Sequence, residues 1–399
     1  MRYDLAIVGS GLAGSLLALA LMPLPLNIVL LEAKPWQAKL TASADARSLA
    51  LSYSSVQVLK AIGLWPDIAA LATPIEQIHV SSKGGIGISR LQAKEVNFPA
   101  LGYVIAIDDL QRAIVKALQR HPRLSVMSPA LVQDLTQTEQ SVSLHLQDSR
   151  EVEAKVVLAA DGNKSSMRDM MGIATQEVDY QQTAIIANIG LQRPHHNIAY
   201  ERFTAEGPLA ALPLTGRQAA MIWTMSPAAA GQRLQLPEAQ FLEELQQAFG
   251  YRLGRFVSLG RRDTYVLKLS HAKSQLQGRT LLFGNAAHSL HPVAGQGFNL
   301  TIRDIALLAE ILANHAELGP ETLQTYVELR KKPQQHMIKI TDGLIRMFAH
   351  DVWPITWLRD LGLRQFERMP VLKNSFNRLM SGQSGRLPRL ARGLSLKEV

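Results

Sequence analysis

Residues 3–14, YDLAIVGSGLAG, set an unbroken apolar run of strand length directly before Gly9, Gly11 and Gly14, and the apolar residues 15–21 follow at once. An apolar run without alternation predicts a strand buried on both faces, as in a parallel sheet. The glycines mark a tight turn from that strand into a helix, which Pro23 and Pro25 bring to an end. Residues 27–32, NIVLLE, supply a second buried strand. Strand, helix and strand within ~30 residues make a βαβ unit, so the chain must fold around a parallel sheet with a nucleotide-sized turn at its carboxyl edge. In such a turn the first glycine permits the bend, the second lets a pyrophosphate approach the backbone, and the third lets helix and strand touch. Glu32 ends the second strand, where a carboxylate can accept from both hydroxyls of a ribose and repel a 2′-phosphate. The motif alone leaves FAD and NAD open.

A second glycine-rich junction, GNAAHSLHPVAGQGFNLTIRD, occupies residues 284–304. It reads as a buried strand over 280–283, a turn at Gly284 and Asn285, then Pro292, Gly295, Gln296 and Gly297, and a helix from about residue 298. Small residues let backbone lie against a flat ligand, and the N–H groups of a helix's first turn are free to hydrogen-bond it. The half positive charge of the helix start would stabilise the negative charge on the pyrimidine end of a reduced flavin. Two such loops at opposite ends of the chain suit one long cofactor held from both ends, and FAD has that length. A third segment, VVLAADGNKSSMR at 156–168, delivers Asp161 and Gly162 from the end of a buried strand; alone it would read as a turn or helix cap.

Between these motifs the pattern changes repeatedly. Ser52 is placed to cap a helix reaching about residue 62, and Asp108 or Asp109 another reaching about residue 120. Residues 75–91 alternate as a short antiparallel excursion would, 131–146 read as a hairpin, and 183–225 hold strand-length runs separated by Pro, Gly and Asn. Helical periodicity returns at 238–249 and from 298 onwards. The expected architecture is α/β: a Rossmann-like FAD-binding domain over 1–74, 100–178 and 270–340, interleaved with an α+β, antiparallel-sheet substrate domain over 75–99 and 179–269. A C-terminal helical region over 341–399 completes it. No internal repeat occurs, and no second GxGxxG exists to hold a nicotinamide cofactor permanently.

The chain has no cysteine, which excludes disulfides, thiolate catalysis, Fe–S clusters and cysteine-ligated zinc. Redox chemistry here must come from an organic cofactor. No run of ~18 uncharged apolar residues predicts a membrane-spanning helix, and a strand starting at the second residue leaves no room for a signal peptide; cytoplasmic residence is the expectation. Of the net charge of +9, six units fall in residues 345–399, where ten Lys or Arg face four Asp or Glu. No aromatic-and-basic nucleic-acid motif accompanies them, so an anionic membrane surface or an acidic protein is the expected partner. Trp353, Trp357, Leu358, Leu361 and Leu363 alternate with Arg359, Arg364 and Arg368 before a basic stretch at 386–392. That mixture suits a helix lying on a membrane interface, or one packed on the domain with a solvated basic face.

GSGLAG at 9–14, DARSLALS at 45–52, VLAADGNKSSMR at 157–168 and the 284–304 junction together make the chain resemble the flavoprotein aromatic hydroxylases of the para-hydroxybenzoate hydroxylase fold. More narrowly it is similar, over most of its length, to the hydroxylases of ubiquinone biosynthesis. Ala187-Asn188, ERFT at 201–204, GPL at 207–209, Leu212-Pro213, Phe249-Gly250 and RLG at 252–254 are similar to the subgroup acting on a polyprenylated methoxyphenol. So is Asn285, where the broader family has an aspartate.

The resemblance implies that Gly9, Gly11, Leu12, Ala13 and Gly14 face the FAD pyrophosphate, Glu32 the adenosine ribose, Arg47 the pyrophosphate and flavin, and the Val132 backbone the adenine. Asp161 would serve FAD and the reductant through a hydrogen-bond network. Gly284 and Asn285 would meet the ribitol, and Pro292, Gly295, Gln296 and Gly297 would line the isoalloxazine. Asparagine at 285 keeps an acceptor oxygen without the charge, so FAD binding is expected to be weaker. The implied reaction reduces FAD with NAD(P)H as a transient reductant and adds O2 at the flavin C4a. The terminal oxygen of that hydroperoxide then moves to an electron-rich carbon of a polyprenylated phenol, within a multi-enzyme ubiquinone-biosynthesis complex or at the membrane.

Because the flavin carries this chemistry, no catalytic side chain and no metal site are assigned, and the base that would activate the phenol has no candidate. Phe203, Leu209, Leu212 and Trp223 of the second sheet are the candidate substrate wall, with plain sheet core as the competing reading. His288 and His291, three apart, suit a structural or flavin-shaping role rather than a metal. Two rival functions remain: a sister hydroxylase acting on another aromatic ring, and a flavin-bound scaffold without turnover.

Overall fold

The computed structural model describes residues 2–36, 47–121, 123–289, 295–315, 317–349, 361–362 and 364–396. Two eight-stranded sheets and one three-stranded sheet carry the described residues. The first sheet sets Thr280–Leu282, Glu151–Ala159, Arg2–Val8, Ile28–Leu31 and Leu124–Met127 side by side, all parallel. A hairpin of Val132–Gln137 and Val142–Leu146 pairs antiparallel with the first half of Glu151–Ala159.

The apolar runs behave as a sheet covered on both sides requires. Leu5, Ile7, Leu30 and Leu158 pack against helix Leu12–Leu21, including Leu16 and Leu17. Their neighbours Ala6, Val8, Val29 and Val157 face Leu144 of the hairpin and Met167 of helix Ser166–Met170. Each fully buried aliphatic side chain of this kind contributes ~1.5–3 kcal/mol, so neither face tolerates a polar slip.

The second sheet runs His288–Ser289, Phe256–Ala272, Thr175–Leu191, Gln218–Met225, Gly207–Leu214, Ile198–Thr204, Gln77–Ser82 and Ile88–Gln92. It is antiparallel except where Gln77–Ser82 lies parallel to Ile198–Thr204. That pairing ties the early excursion into the later sheet and produces the interleaved architecture. Helices Pro227–Leu234 and Glu238–Phe249 cover one face, where Phe241, Leu245 and Phe249 meet Leu209, Met221 and Trp223. The third sheet, Ser48–Ser52, Gly102–Ala106 and Thr73–Ile75, packs against strand Gly207–Leu214 of the second sheet and against helix Gln296–Asn314.

Ser52 caps helix Tyr53–Ala61 by accepting from Ser55 N at 3.3 Å. The expected aspartate cap of the next helix is corrected. Helix Ile107–Gln119 begins directly after strand Gly102–Ala106 with Ala106 at the cap position, and Asp108 and Asp109 lie in its first turn. Strand runs into helix without a loop, so the acids meet the positive helix end as charges rather than as caps.

The last part of the chain is stitched into both sheets. Helix Pro370–Met380 buries Lys373 between Glu95 at 3.0 Å and Glu367 at 3.3 Å, while Glu367 accepts from Ser89 Oγ and Arg90 N. Leu390, Ala391 and Leu396 join the core of the first sheet. Leu361, Met369, Val371 and Leu372 are exposed, as are Arg364 and Arg368. Trp353, Trp357, Leu358, Arg359 and Leu363 lie outside the described residues. No described helix is long and apolar enough to cross a membrane.

Candidate active site

The parallel strands stop together. Val8 is level with Ala159 on one side and Leu31 on the other, and Ala159 is level with Leu282. The loops that leave these strands therefore emerge along one edge: residues 9–14, Glu32, Asp161, and Gly284 with Asn285. Strands lie about 4.8 Å apart, so loops from opposite ends of the chain become near neighbours.

The glycines at this edge divide by cause. A Cβ on Gly9, at φ +98°, would fall 2.7 Å from the Ala160 carbonyl oxygen, and one on Gly14 would fall 2.0 Å from that of Gly9. There, backbone crosses backbone. Gly11 has nothing within 4 Å of its missing Cβ. It is the cap residue of helix Leu12–Leu21, which has neither a side-chain cap nor an acid in its first turn. A Cβ on Gly284, at φ +59°, would lie 3.0 Å from the Ala13 Cβ, so the later loop packs closely on the first. Gly295 caps helix Gln296–Asn314 in the left-handed conformation, again with no side-chain cap and no acid in the first turn. Two bare helix starts, each carrying roughly half a positive charge, therefore reach one space; such ends bind anions.

That space is a cavity of ≈ 1350 Å³. Gly11, Leu12, Ala13, Arg47, Asn285, Gly295, Gln296 and Gly297 line one end. The second sheet supplies the other wall through Ala199, Glu201, Phe203, Pro208, Ala210, Leu212, Ile222 and Thr224. Arg47 holds its guanidinium 5.0 Å from the centre of the Tyr265 ring; Asp45, its alternative ion-pair partner, lies outside the described residues. So do Pro292 and His291.

The remaining sequence-predicted residues do not line the cavity. Gly9, Gly14 and Gly284 stand behind its wall as packing glycines. Glu32 is buried and accepts from Ser10 N at 3.0 Å, Ser10 Oγ at 2.7 Å and Lys34 N at 3.0 Å. Val132 packs in the core below the same strand edge. Asp161 accepts from Ser165 Oγ at 2.5 Å and Met167 N at 3.0 Å, organising the start of helix Ser166–Met170; its neighbour Gly162 faces the cavity.

Two of the four substrate-wall residues are corrected. Leu209 and Trp223 are 0% and 1% exposed on the helix-covered face, while Phe203 and Leu212 line the cavity. Successive strand residues point to opposite faces, so Leu209 and Leu212 could never share one. Trp223 instead stacks edge-on against Phe241 under the Arg233 guanidinium.

His288 is structural. Its Nε2 donates to Asp304 Oδ2 at 3.0 Å, both side chains being buried, and Asp304 also accepts from Gln334 Nε2 at 3.1 Å and from Arg330. Burial would raise the Asp304 carboxyl, but the Arg330 charge and the His288 hydrogen bond outweigh it and hold it below the ordinary value. This cluster locks the 284–289 loop to helix Gln296–Asn314 and to helix Pro320–Ala349. Among the described residues no group of His, Cys, Asp and Glu is placed to hold a metal ion.

The sequence reading missed two contributors. Phe366, Phe376 and Met380 from the chain's end line the cavity beside the second sheet. Glu201 does so from strand Ile198–Thr204, and burial pushes its carboxyl up to about 7. The available signal was parity, since Glu201 shares a face with Ala199 and Phe203.

Residues 2–341 match the family described as FAD binding domain. The ubiquinone hydroxylase UbiL of Rhodospirillum rubrum is 36% identical over 401 residues, covering 98% of this chain and 93% of that protein. The 3-demethoxyubiquinol 3-hydroxylase of Escherichia coli is 31% identical over 381 residues, covering 93% and 96%. Among solved structures, the p-nitrophenol 4-monooxygenase PnpA of Pseudomonas putida shares the fold, with a TM-score of 0.79 at 18% identity over 97% of this chain and 100% of that one.

Proposed function

The chain belongs to the FAD binding domain family and is an FAD-dependent monooxygenase; from that premise we propose that it hydroxylates the ring of 2-octaprenyl-6-methoxyphenol in ubiquinone biosynthesis, with NAD(P)H and O2. The observation that carries this reading is the division of one cavity into a glycine-lined end with two bare helix starts and an apolar wall of sheet residues. Single-ligand pockets typically measure ~300–1,000 Å³, so ≈ 1350 Å³ leaves room for a cofactor and an aromatic ring together.

The residues fit FAD. The N–H groups of Leu12 and Ala13, behind the open face of Gly11, would hold the pyrophosphate, with Gly9 and Gly14 fixing the turn. Glu32 and the Val132 backbone would take the ribose and adenine, Arg47 the pyrophosphate and flavin, and Asn285 beside Gly284 the ribitol. Gly295, Gln296 and Gly297 would face the isoalloxazine, and Asp161 would steady the loop at Gly162. When bound, the flavin accepts the electrons of NAD(P)H and supplies the activated oxygen. The protein's part is to keep water out and hold the ring, and Phe203, Leu212, Ile222 and Phe376 present apolar side chains to the cavity.

Two measurements test the reading. FAD-reconstituted protein should oxidise NAD(P)H faster with the methoxyphenol than without it; a scaffold would show no such stimulation. Cells lacking the protein should accumulate octaprenyl-methoxyphenol. The likeness to 3-demethoxyubiquinol 3-hydroxylase favours a sister activity as the second reading, and accumulation of a later quinone intermediate would select it.

Asn285 carries a further expectation. Its exposed side chain faces the cavity, and hydrogen bonds to a charged acceptor exceed neutral ones by about 1 kcal/mol. Asn285→Asp should tighten FAD roughly fivefold in a fluorescence titration; unchanged affinity would show that the side chain does not meet the cofactor.

A further inference from the structure

We propose that Glu201 accepts the proton of the substrate's phenol hydroxyl while the ring is hydroxylated, an assignment that rests on the reading of the cavity as a flavin hydroxylase site. Position comes first. Glu201 sits in strand Ile198–Thr204 with Val80 opposite on one neighbouring strand and Ala210 on the other. On its own strand Ala199 and Phe203 share its face, and all five residues line the cavity. The carboxylate thus projects from an apolar wall into the space where an aromatic ring would lie.

Its lack of partners distinguishes it. Glu32, Asp304 and Glu367 are each held by several donors from the protein. Glu201 has neither a hydrogen bond nor an ion pair among the described residues. Glu201 is half-buried, set among apolar neighbours that weaken its hydration, and no donor among the described residues compensates its charge. Nothing in the sheet requires it, since an alanine or valine would continue the wall. Such a group is expected where a ligand supplies the missing partner.

The surroundings set its proton affinity. Arg202 and His79 lie on the opposite face, where Arg202 Nε donates to the Ala248 carbonyl and His79 lies 5.5 Å from the Tyr200 ring. The charged and titratable groups elsewhere on the cavity wall are Arg47, Lys164, Glu177, Tyr200, Tyr265 and Lys268. None shifts Glu201; burial alone raises its carboxyl to about 7. The group is therefore ionised above neutrality yet a far better base than an ordinary glutamate, the match general base catalysis needs.

The step balances. The phenol O–H bond breaks, an O–H bond forms on the Glu201 carboxyl, and the electron pair stays on the phenol oxygen, enriching the ring carbons ortho and para to it. Oxygen transfer then forms a C–O bond at one of those carbons, and the hydrogen there leaves as a proton as the ring becomes aromatic again. The Glu201 proton returns to the phenol oxygen. NAD(P)H and one proton are consumed with O2, one oxygen atom entering the ring and the other leaving in water.

The test uses full-length protein reconstituted with FAD and a 2-methoxyphenol bearing a geranyl group at position 6, with hydroxylated product and NAD(P)H oxidation measured separately. Wild-type product formation should fall tenfold per pH unit below about 7, where Glu201 is protonated, and level off above. Glu201→Gln should retain FAD and NAD(P)H oxidation but lose product about a hundredfold or more, together with the acid limb. Glu201→Asp should recover part of the rate. The Gln defect should shrink for a ring-fluorinated phenol that ionises unaided. Unchanged product rate and pH limb in a Gln variant that binds FAD would overturn the assignment while leaving the proposed function intact.

Failure of the wild type to hydroxylate the phenol while holding FAD would take down both. If the Gln variant does not fold, the wild type alone decides: with a phenol ionised well below pH 7 its acid limb should disappear, and a limb that persists refutes the proposal.

Discussion

Gly11→Val should leave the fold standing and remove the cofactor, whereas Gly14→Ala should damage the fold itself. A side chain at Gly11 meets no atom within 4 Å, and its backbone is extended, at φ −67° and ψ −176°, so valine costs little beyond the cap preference, about 1 kcal/mol. Yet it would fill the space before the bare helix start, and FAD affinity should fall at least a hundredfold. At Gly14 even a methyl group would sit 2.0 Å from the Gly9 carbonyl oxygen. Helix and strand must separate, at a cost at or above the ~1–3 kcal/mol of ordinary overpacking. Denaturant unfolding without FAD, followed by a flavin fluorescence titration, separates the two effects. Equal loss of stability in both variants would show that Gly11 is also a packing residue.

Asp304→Ala should be strongly destabilising, more so than substitution of the exposed charged residues described. It leaves Arg330 and His288 buried without the carboxylate that joins them, and removing one partner of a buried ion pair typically costs ~3–5 kcal/mol. Asp304→Asn, which keeps an acceptor but not the charge, should lose less. Because the Asp304 carboxyl is held below the ordinary 3.8, its contribution is complete above that pH and disappears only as acid reaches the lower native value. The variant should therefore differ most from wild type at neutral pH and converge with it in strong acid. A loss under 1 kcal/mol at neutrality would show that helix Gln296–Asn314 is anchored elsewhere. Because that helix presents Gln296 and Gly297 to the cavity, FAD retention should weaken alongside stability.

The fold was legible where one physical requirement acts alone. Apolar runs without alternation marked the parallel strands, and the glycine spacing marked the turn, because burial on both faces and crossing backbones leave few alternatives. The second sheet was legible as a sheet, but one of its two longest strands, Phe256–Ala272, was not. Exposed Arg261 and half-buried Asp263 interrupt it, and a strand with one wet side can carry charge without breaking. Assignment of the substrate wall failed at Leu209 and Trp223 because hydrophobicity identifies what is buried, not which face buries it. Parity identifies the face, and parity also marks Glu201. The contribution of Phe366 and Phe376 had no local signal, since it depends on Lys373 meeting Glu95 from far along the chain.

The cavity wall includes residues as early as Gly11 and as late as Ser381, which imposes an order in time. A chain leaving the ribosome completes the cofactor end once Thr280–Leu282 has joined its row and Gly297 has followed it out. The aromatic wall still lacks Phe366 and Phe376. At ~5–20 residues per second, about eighty residues separate a cofactor end that is ready from a substrate end that is closed, an interval of roughly 4–16 seconds. A ribosome-bound chain can thus possess the flavin half of its chemistry before it owns the enclosure that protects it.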